Sequence, residues 1–106
     1  MKLYIGGAYQ GQDELARREN PEAEIFTDFH ENLRGIGEQD PRAFAQAFCL
    51  DHPDAVVTAN EVGSGVVPMT KEDRAFRENV GRALCIIARE SETVTRVVCG
   101  IGVRIK

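Results

Sequence analysis

Three glycine-rich segments of this 106-residue chain hold its best candidates for chemistry. The first, Gly6-Gly7-Ala8-Tyr9-Gln10-Gly11-Gln12-Asp13, has the frame G-x-x-x-x-G between an apolar, strand-like segment and a helix-favouring one. In that context backbone N–H groups and a helix N-terminus hold phosphate oxygens, a Lys after the last Gly reaches the outer phosphates, and a Ser or Thr hydroxyl binds Mg²⁺. Gly6, Gly7, Ala8, Gly11, Gln12 and Asp13 are therefore the candidate nucleotide- or phosphate-binding residues. Gln12 stands where the Lys belongs and Asp13 where the hydroxyl belongs. Two unit charges ~4 Å apart interact by about 4 kcal/mol at an effective dielectric of 20. Losing an attraction and gaining a repulsion thus disfavours a bound triphosphate. On these residues alone, a plain strand–turn–helix corner with Asp13 as cap is the favoured reading.

The second segment is Asn60-Glu61-Val62-Gly63-Ser64-Gly65-Val66-Val67-Pro68. Asn60, Glu61, Gly63 and Gly65 follow an apolar run and so sit where a strand delivers binding groups. Glu61 is the candidate catalytic residue: it can accept a proton, bond a ligand hydroxyl or, with Asp28, hold Mg²⁺. The alternative is a loop that only turns the chain, with Glu61 solvated. The third segment is Gly100-Ile101-Gly102. Of the two histidines, His52 reads as an exposed turn residue; His30, in Asp28-Phe29-His30, either approaches the site from the second strand's end or, the favoured reading, has no chemical role. Arg74, Arg77 and Arg82 read as surface partners of Glu72, Asp73 and Glu78.

The elements that must position these groups follow from local patterns. Lys2–Ile5 reads as a strand and Asp13 to about Glu19 as a short helix stopped by Asn20-Pro21. Glu24–Thr27 reads as a second strand, and Asp28–Arg34 as a helical turn or a loop. Asp40-Pro41 starts a helix to about Leu50, with Phe44, Ala45, Phe48 and Cys49 on one face. Ala55–Ala59 is a continuous apolar strand of the kind covered on both faces. Thr70 with Asp73 starts a long helix that turns Phe76, Val80, Ala83, Leu84 and Ile87 inward. Thr95–Cys99 is the last strand, and Val103–Lys106 reads as a tail. This alternation predicts one α/β domain over residues 1–106, a mostly parallel, P-loop-like sheet with helices on both faces and few strands. Crossovers are expected to be right-handed. All three glycine-rich segments follow strands, so they should gather at one sheet edge.

Composition excludes some partners. Thirteen basic against seventeen acidic residues give a net charge of −4, with no basic face for nucleic acid or a membrane surface. No apolar run approaches membrane-helix length and none resembles a secretory signal. Cys49, Cys85 and Cys99 fit no zinc or disulfide pattern and lie in apolar segments, so buried free thiols in a cytoplasmic protein are expected.

Val57 through Pro68, VTANEVGSGVVP, resembles the T-N-E-V-G-x-G-I-V-P segment of the adenosylcobinamide kinase / adenosylcobinamide-phosphate guanylyltransferase family. Phe76-Arg77-Glu78 with Gly81-Arg82 is similar to that family's F-R-D-x-x-G-R, and VVCGIGVRIK to its closing V-x-S-G-I-x-x-x-I-K. Met1–Gly7 and Gly11 match its opening strand and phosphate loop in frame. The resemblance, over about Met1–Ala16 and Ala55–Lys106, implies a P-loop α/β fold and a homo-oligomer. It also implies ATP- or GTP-dependent, Mg²⁺-assisted phosphorylation of a corrinoid, followed by guanylyl transfer through a histidine. It makes Gly6–Asp13 a phosphate loop by descent. The chain departs from the family between Ala16 and Ala55, where neither the H-x-x-x-R-P histidine motif nor the D-C-x-T segment is intact. His30 cannot be equated with that histidine, and Leu84-Cys85 replace the family's N-Q. The reading that follows is a shortened, catalytically impaired relative with a binding or regulatory role. The alternatives are an active transferase with a variant site and an oligomerisation module.

Overall fold

The computed structural model describes residues 1–62 and 70–106. Five strands form one sheet in the order β2-β3-β1-β4-β5: β1 Lys2–Gly6, β2 Ile25–Phe26, β3 Val56–Asn60, β4 Thr93–Val98 and β5 Ile101–Arg104. The first four are parallel and β5 is antiparallel to β4. Three α-helices, α1 Gln12–Glu19, α2 Pro41–Asp51 and α3 Lys71–Glu90, and a 3₁₀ helix, Phe29–Leu33, connect them. This is the expected mostly parallel α/β sheet of few strands, with an architecture that agrees with a P-loop-like fold.

The two faces are covered separately. On one, Leu15 and Ala16 of α1 pack on Tyr4, Val56 and Val97. On the other, α2, α3 and the 3₁₀ helix cover Leu3, Val57, Ala59 and Val94. Double coverage explains why four successive residues of β3 are buried. On α3 the residues Val80, Ala83, Ile86 and Ile87 are buried, the three-to-four spacing of one helical stripe. Phe29 lies wholly inside, with its ring 5.0 Å from that of Phe48 and 6.1 Å from that of Phe44. The helix starts are capped as expected: Asp40 accepts from the Arg42 N–H at 3.0 Å behind Pro41, and Thr70 accepts from the Asp73 N–H at 3.1 Å. No helix among the described residues is long and apolar enough to cross a membrane.

Several expectations are corrected. Val103–Lys106 is no tail: Ile101–Arg104 turns back as β5 through Cys99 and Gly100, both at positive φ (51° and 76°), the geometry of a tight two-residue hairpin. Asp13 does not cap α1. That place belongs to Gly11, at φ 91°, and Asp13 falls in the first turn. Cys85 and Cys99 are exposed, because helix and hairpin periodicity turns them outward, and Cys49 is half-buried against the core. His52 is half-buried, with its ring 4.6 Å from Phe26 and 4.9 Å from Phe48. Glu78 and Arg82 do pair across one turn of α3.

Two predictions follow from the core. Phe29→Ala should lower unfolding free energy by about 3–5 kcal/mol in urea denaturation, since it empties the centre of an aromatic cluster. Tyr4, whose hydroxyl donates to Glu19 (2.8 Å) and accepts from Asn20 (2.9 Å), has its pKa raised above 10.0 by burial and then by the Glu19 bond. The folded state therefore keeps this proton longer than the unfolded chain, and stability should fall as pH rises from about 10 upward. Tyr4→Phe should remove that part of the fall.

Candidate functional site

The pairing of β1 with β3 sets Gly6 level with Asn60, and that of β1 with β4 sets Gly6 level with Val97. The three glycine-rich segments leave from this carboxyl edge. The first and third meet: the Gly100 N–H donates to Gln10 O at 2.7 Å, and the Cys99 N–H to Gln10 Oε1 at 2.7 Å. A Cβ on Gly11 would lie 3.4 Å from Gly100 Cα, so the two backbones touch. Gly63 and Gly65 of the second segment lie outside the described residues. Its start is anchored to the first loop, the Glu61 N–H donating to Gly6 O at 2.7 Å.

Between the first loop and the 3₁₀ helix lies a cleft of about 590 Å³, bordered among others by Gly11, Gln12, Asp13, Asp28, His30 and Asn60. Its wall is a polar network on short bonds. Gln12 is buried on the first turn of α1, and its Nε2 donates to Gly7 O (3.0 Å), Asn60 Oδ1 (3.2 Å) and Ala59 O (3.3 Å). Gln12 Oε1 is buried with no partner among the described residues. Thr58, buried on β3, donates its hydroxyl proton to Asp13 Oδ1 and accepts from the Asp28 N–H at 3.3 Å. One side chain thus ties α1 and the end of β2 to the central sheet. Asp28 itself stands at positive φ, 53°, immediately before the 3₁₀ helix.

His30 borders the cleft, just past the end of the second strand. It is 4 % exposed, and its Nδ1 accepts from the Asn60 N–H at 3.0 Å. In the neutral ring this leaves the proton on Nε2, which lies 3.3 Å from Glu31 Oε1. Its position after the second strand allows this approach, but its partner was not legible, because the contact spans thirty residues. Glu31 also bonds Arg34 at 2.6 Å, and this bond is the main cause of its lowered carboxyl pKa. The Arg34 guanidinium lies 4.1 Å from the Phe76 ring centroid.

The charge around the cleft is acidic. Asp13, Glu14, Asp28 and Glu31 border it, and no Lys or Arg does so among the described residues. The positive end of α1 is already complemented by Asp13 and Glu14 in its first turn. Among the described residues no group of three or more metal-ligating side chains assembles. A second cleft, about 500 Å³, lies at the opposite edge beside Met1, Cys49, Leu50 and Pro53; burial pushes the Cys49 thiol pKa up, which makes it a poor nucleophile.

Fold and site define a class: an α/β domain with a P-loop-like frame and a polar cleft at the carboxyl ends of its parallel strands. The profile of the cobinamide kinase / cobinamide phosphate guanyltransferase family, CobU, matches residues 25–105, and the chain belongs to that family. It is 45% identical over 61 residues to the bifunctional adenosylcobalamin biosynthesis protein CobU of Salmonella typhimurium (strain LT2), an alignment covering 57% of this chain and 34% of that protein. The CobU of Escherichia coli (strain K12) matches with the same identity and coverage. The chain thus spans about a third of the length of the curated relatives it matches. The family match runs through residues 25–54, which were expected to depart from the family.

Thr58→Val should remove both bonds of the clamp and lower stability by about 1–3 kcal/mol, because it leaves the Asp28 N–H and Asp13 without their partner. Thr58→Ser should retain most of that stability in the same urea titration.

Proposed function

We propose that this chain is a shortened, catalytically impaired relative of the cobinamide kinase / guanyltransferase, with a binding or regulatory role linked to adenosylcobalamin biosynthesis. The link rests on family membership and on the names of the two relatives. The impairment rests on one observation: Gln12, at the position of a phosphate-loop lysine, turns its amide inward onto three protein acceptors. It offers no positive charge to the cleft. Around it stand four carboxylates, so the residues present do not fit a triphosphate, and no transfer step is derived through ATP or GTP. A cytoplasmic protein working as a homo-oligomer is part of the same reading. A corrinoid, which carries no triphosphate charge and bears peripheral carboxamides, is less opposed by these carboxylates than a nucleotide is.

An active transferase with a variant site is the second reading, favoured by the nearness of Asp13 and Asp28 on the shared Thr58 clamp. There Glu61, Asp13 and Asp28 would hold Mg²⁺, the backbone of Gly6–Gly11 would hold phosphate, and Glu61 would act in catalysis.

Titration calorimetry separates the two. The chain should show no micromolar binding of MgATP or MgGTP, and no phosphorylation of cobinamide. The double variant Gln12→Lys/Asp13→Ser, which restores two units of charge to the loop, should raise nucleotide affinity at least about tenfold. Micromolar binding by the unchanged protein, or turnover that disappears in Glu61→Ala, would establish the second reading instead.

A further inference from the structure

Tyr9 stands in the middle of the first loop and is 103% exposed, as open as in an extended chain. Its φ of 62° lies in the left-handed region, which a bulky side chain avoids and a glycine takes freely. The backbone on both sides is fixed. Gln10 accepts from the Gly100 N–H on its carbonyl and from the Cys99 N–H on its Oε1, both at 2.7 Å, and Gln12 Nε2 holds Gly7 O at 3.0 Å. A glycine at position 9 would serve this turn better, and the ring buries nothing in return. Departures from local preference that bring the fold no contact point to function.

Tyr9 borders the same cleft as Asp13, Glu14, Asp28, Glu31 and Asn60. The ionised carboxylates accept hydrogen bonds and donate none. Asn60 gives its Oδ1 to Gln12, and its Nδ2 hydrogens have no partner among the described residues. The cleft therefore combines a flat aromatic face, several acceptors and one amide donor, with no cation for a phosphate. Its volume, about 590 Å³, is that of a small-molecule site.

We propose that Tyr9 is a stacking platform for an amino-bearing purine base that carries no phosphate. Every base has a π face, and an aromatic side chain stacks on it. The adenine edge sets an amino donor beside a ring-nitrogen acceptor. That is the complement of this cleft: the amino hydrogens go to a carboxylate, and the ring nitrogen accepts from Asn60 Nδ2. A triphosphate on the same base would meet the four carboxylates, so affinity falls as phosphates are added, the reverse of a working phosphate loop. Such a base has two sources, a free nucleoside or the adenosyl group of a corrinoid. The second source rests on the corrinoid reading above; the base site itself does not.

The chain has two tyrosines, Tyr4 and Tyr9, and no tryptophan, so either tyrosine can be made the sole fluorophore. In Tyr4→Phe, adenosine should quench the Tyr9 emission with a dissociation constant below about 1 mM. In Tyr9→Phe, the emission of buried Tyr4 should not respond. By titration calorimetry Tyr9→Phe should keep the affinity within about threefold, and Tyr9→Ala should lose about fivefold to a hundredfold, the range of one base stack. Neither variant should lower the thermal midpoint. Purine riboside, which lacks the amino group, and ATP should each bind at least about fivefold more weakly than adenosine. Adenosylcobinamide binding more tightly than adenosine identifies the corrinoid-borne base. Adenosine binding without adenosylcobinamide binding identifies a free nucleoside, and then the corrinoid reading fails while the base site stands. The proposal is overturned if neither ligand quenches Tyr9, if Tyr9→Ala binds as the unchanged chain does, or if purine riboside binds as tightly as adenosine. Dicyanocobinamide binding with no response to adenosine overturns it too, and leaves the corrinoid reading in place.

Discussion

The site depends on the parallel pairing of β1 with β3. Because Gly6 lies level with Asn60, the chain leaves the sheet twice at one spot, and the second departure hangs on the first through the Glu61–Gly6 bond. α1 then runs across one face to reach β2, while α3 crosses the other to reach β4. The loops diverge from the crevice between β1 and β3, which is where the strand order reverses. Open α/β sheets place ligands at such a point for this geometric reason. The cleft is thus a consequence of topology, and the side chains in it decide what it accepts.

Those side chains bind the protein to itself more than they address a ligand. Thr58 holds Asp13 and the Asp28 backbone, His30 holds the Asn60 backbone, and Gln12 holds Asn60. Groups that a phosphate would need are spent on the scaffold or carry the wrong sign. Buried polar groups left unpaired are costly, so this network ties the start of α1, the end of β2 and Asn60 to one another. The cleft that results is acidic, and its walls are held by the protein's own hydrogen bonds.

Much of this was legible in the sequence, and the failures have physical causes. β1, β3, α2 and α3 followed from periodicity and caps, because their signals are local: the apolar run of Val56–Ala59, Asp40-Pro41, and Thr70 with Asp73. The hairpin that makes β5 was missed because Cys99 adopts positive φ, a conformation no propensity assigns to cysteine. Thr58 was missed as a site residue because its partners lie thirty and forty-five residues away. The loop Gly6–Asp13 was found by its glycines and its frame. Its chemistry hung on where Gln12 points, which only the packed structure shows.

That orientation bears on what position 12 is shaped for. Gln12 Nε2 has three acceptors within 3.3 Å, while Gln12 Oε1, buried beside Gly6, has no partner. Flipping the amide would set Oε1 against three oxygens, so the present orientation is the better of two imperfect ones. Surroundings that offer acceptors and no donor are matched by a donor-only group. An ammonium has three donors and no acceptor, and would satisfy them without leaving an orphan. The geometry of Gly7, Ala59 and Asn60 therefore suits a lysine better than the glutamine it holds. The unpaired Gln12 Oε1 is the cost of filling this position with an amide.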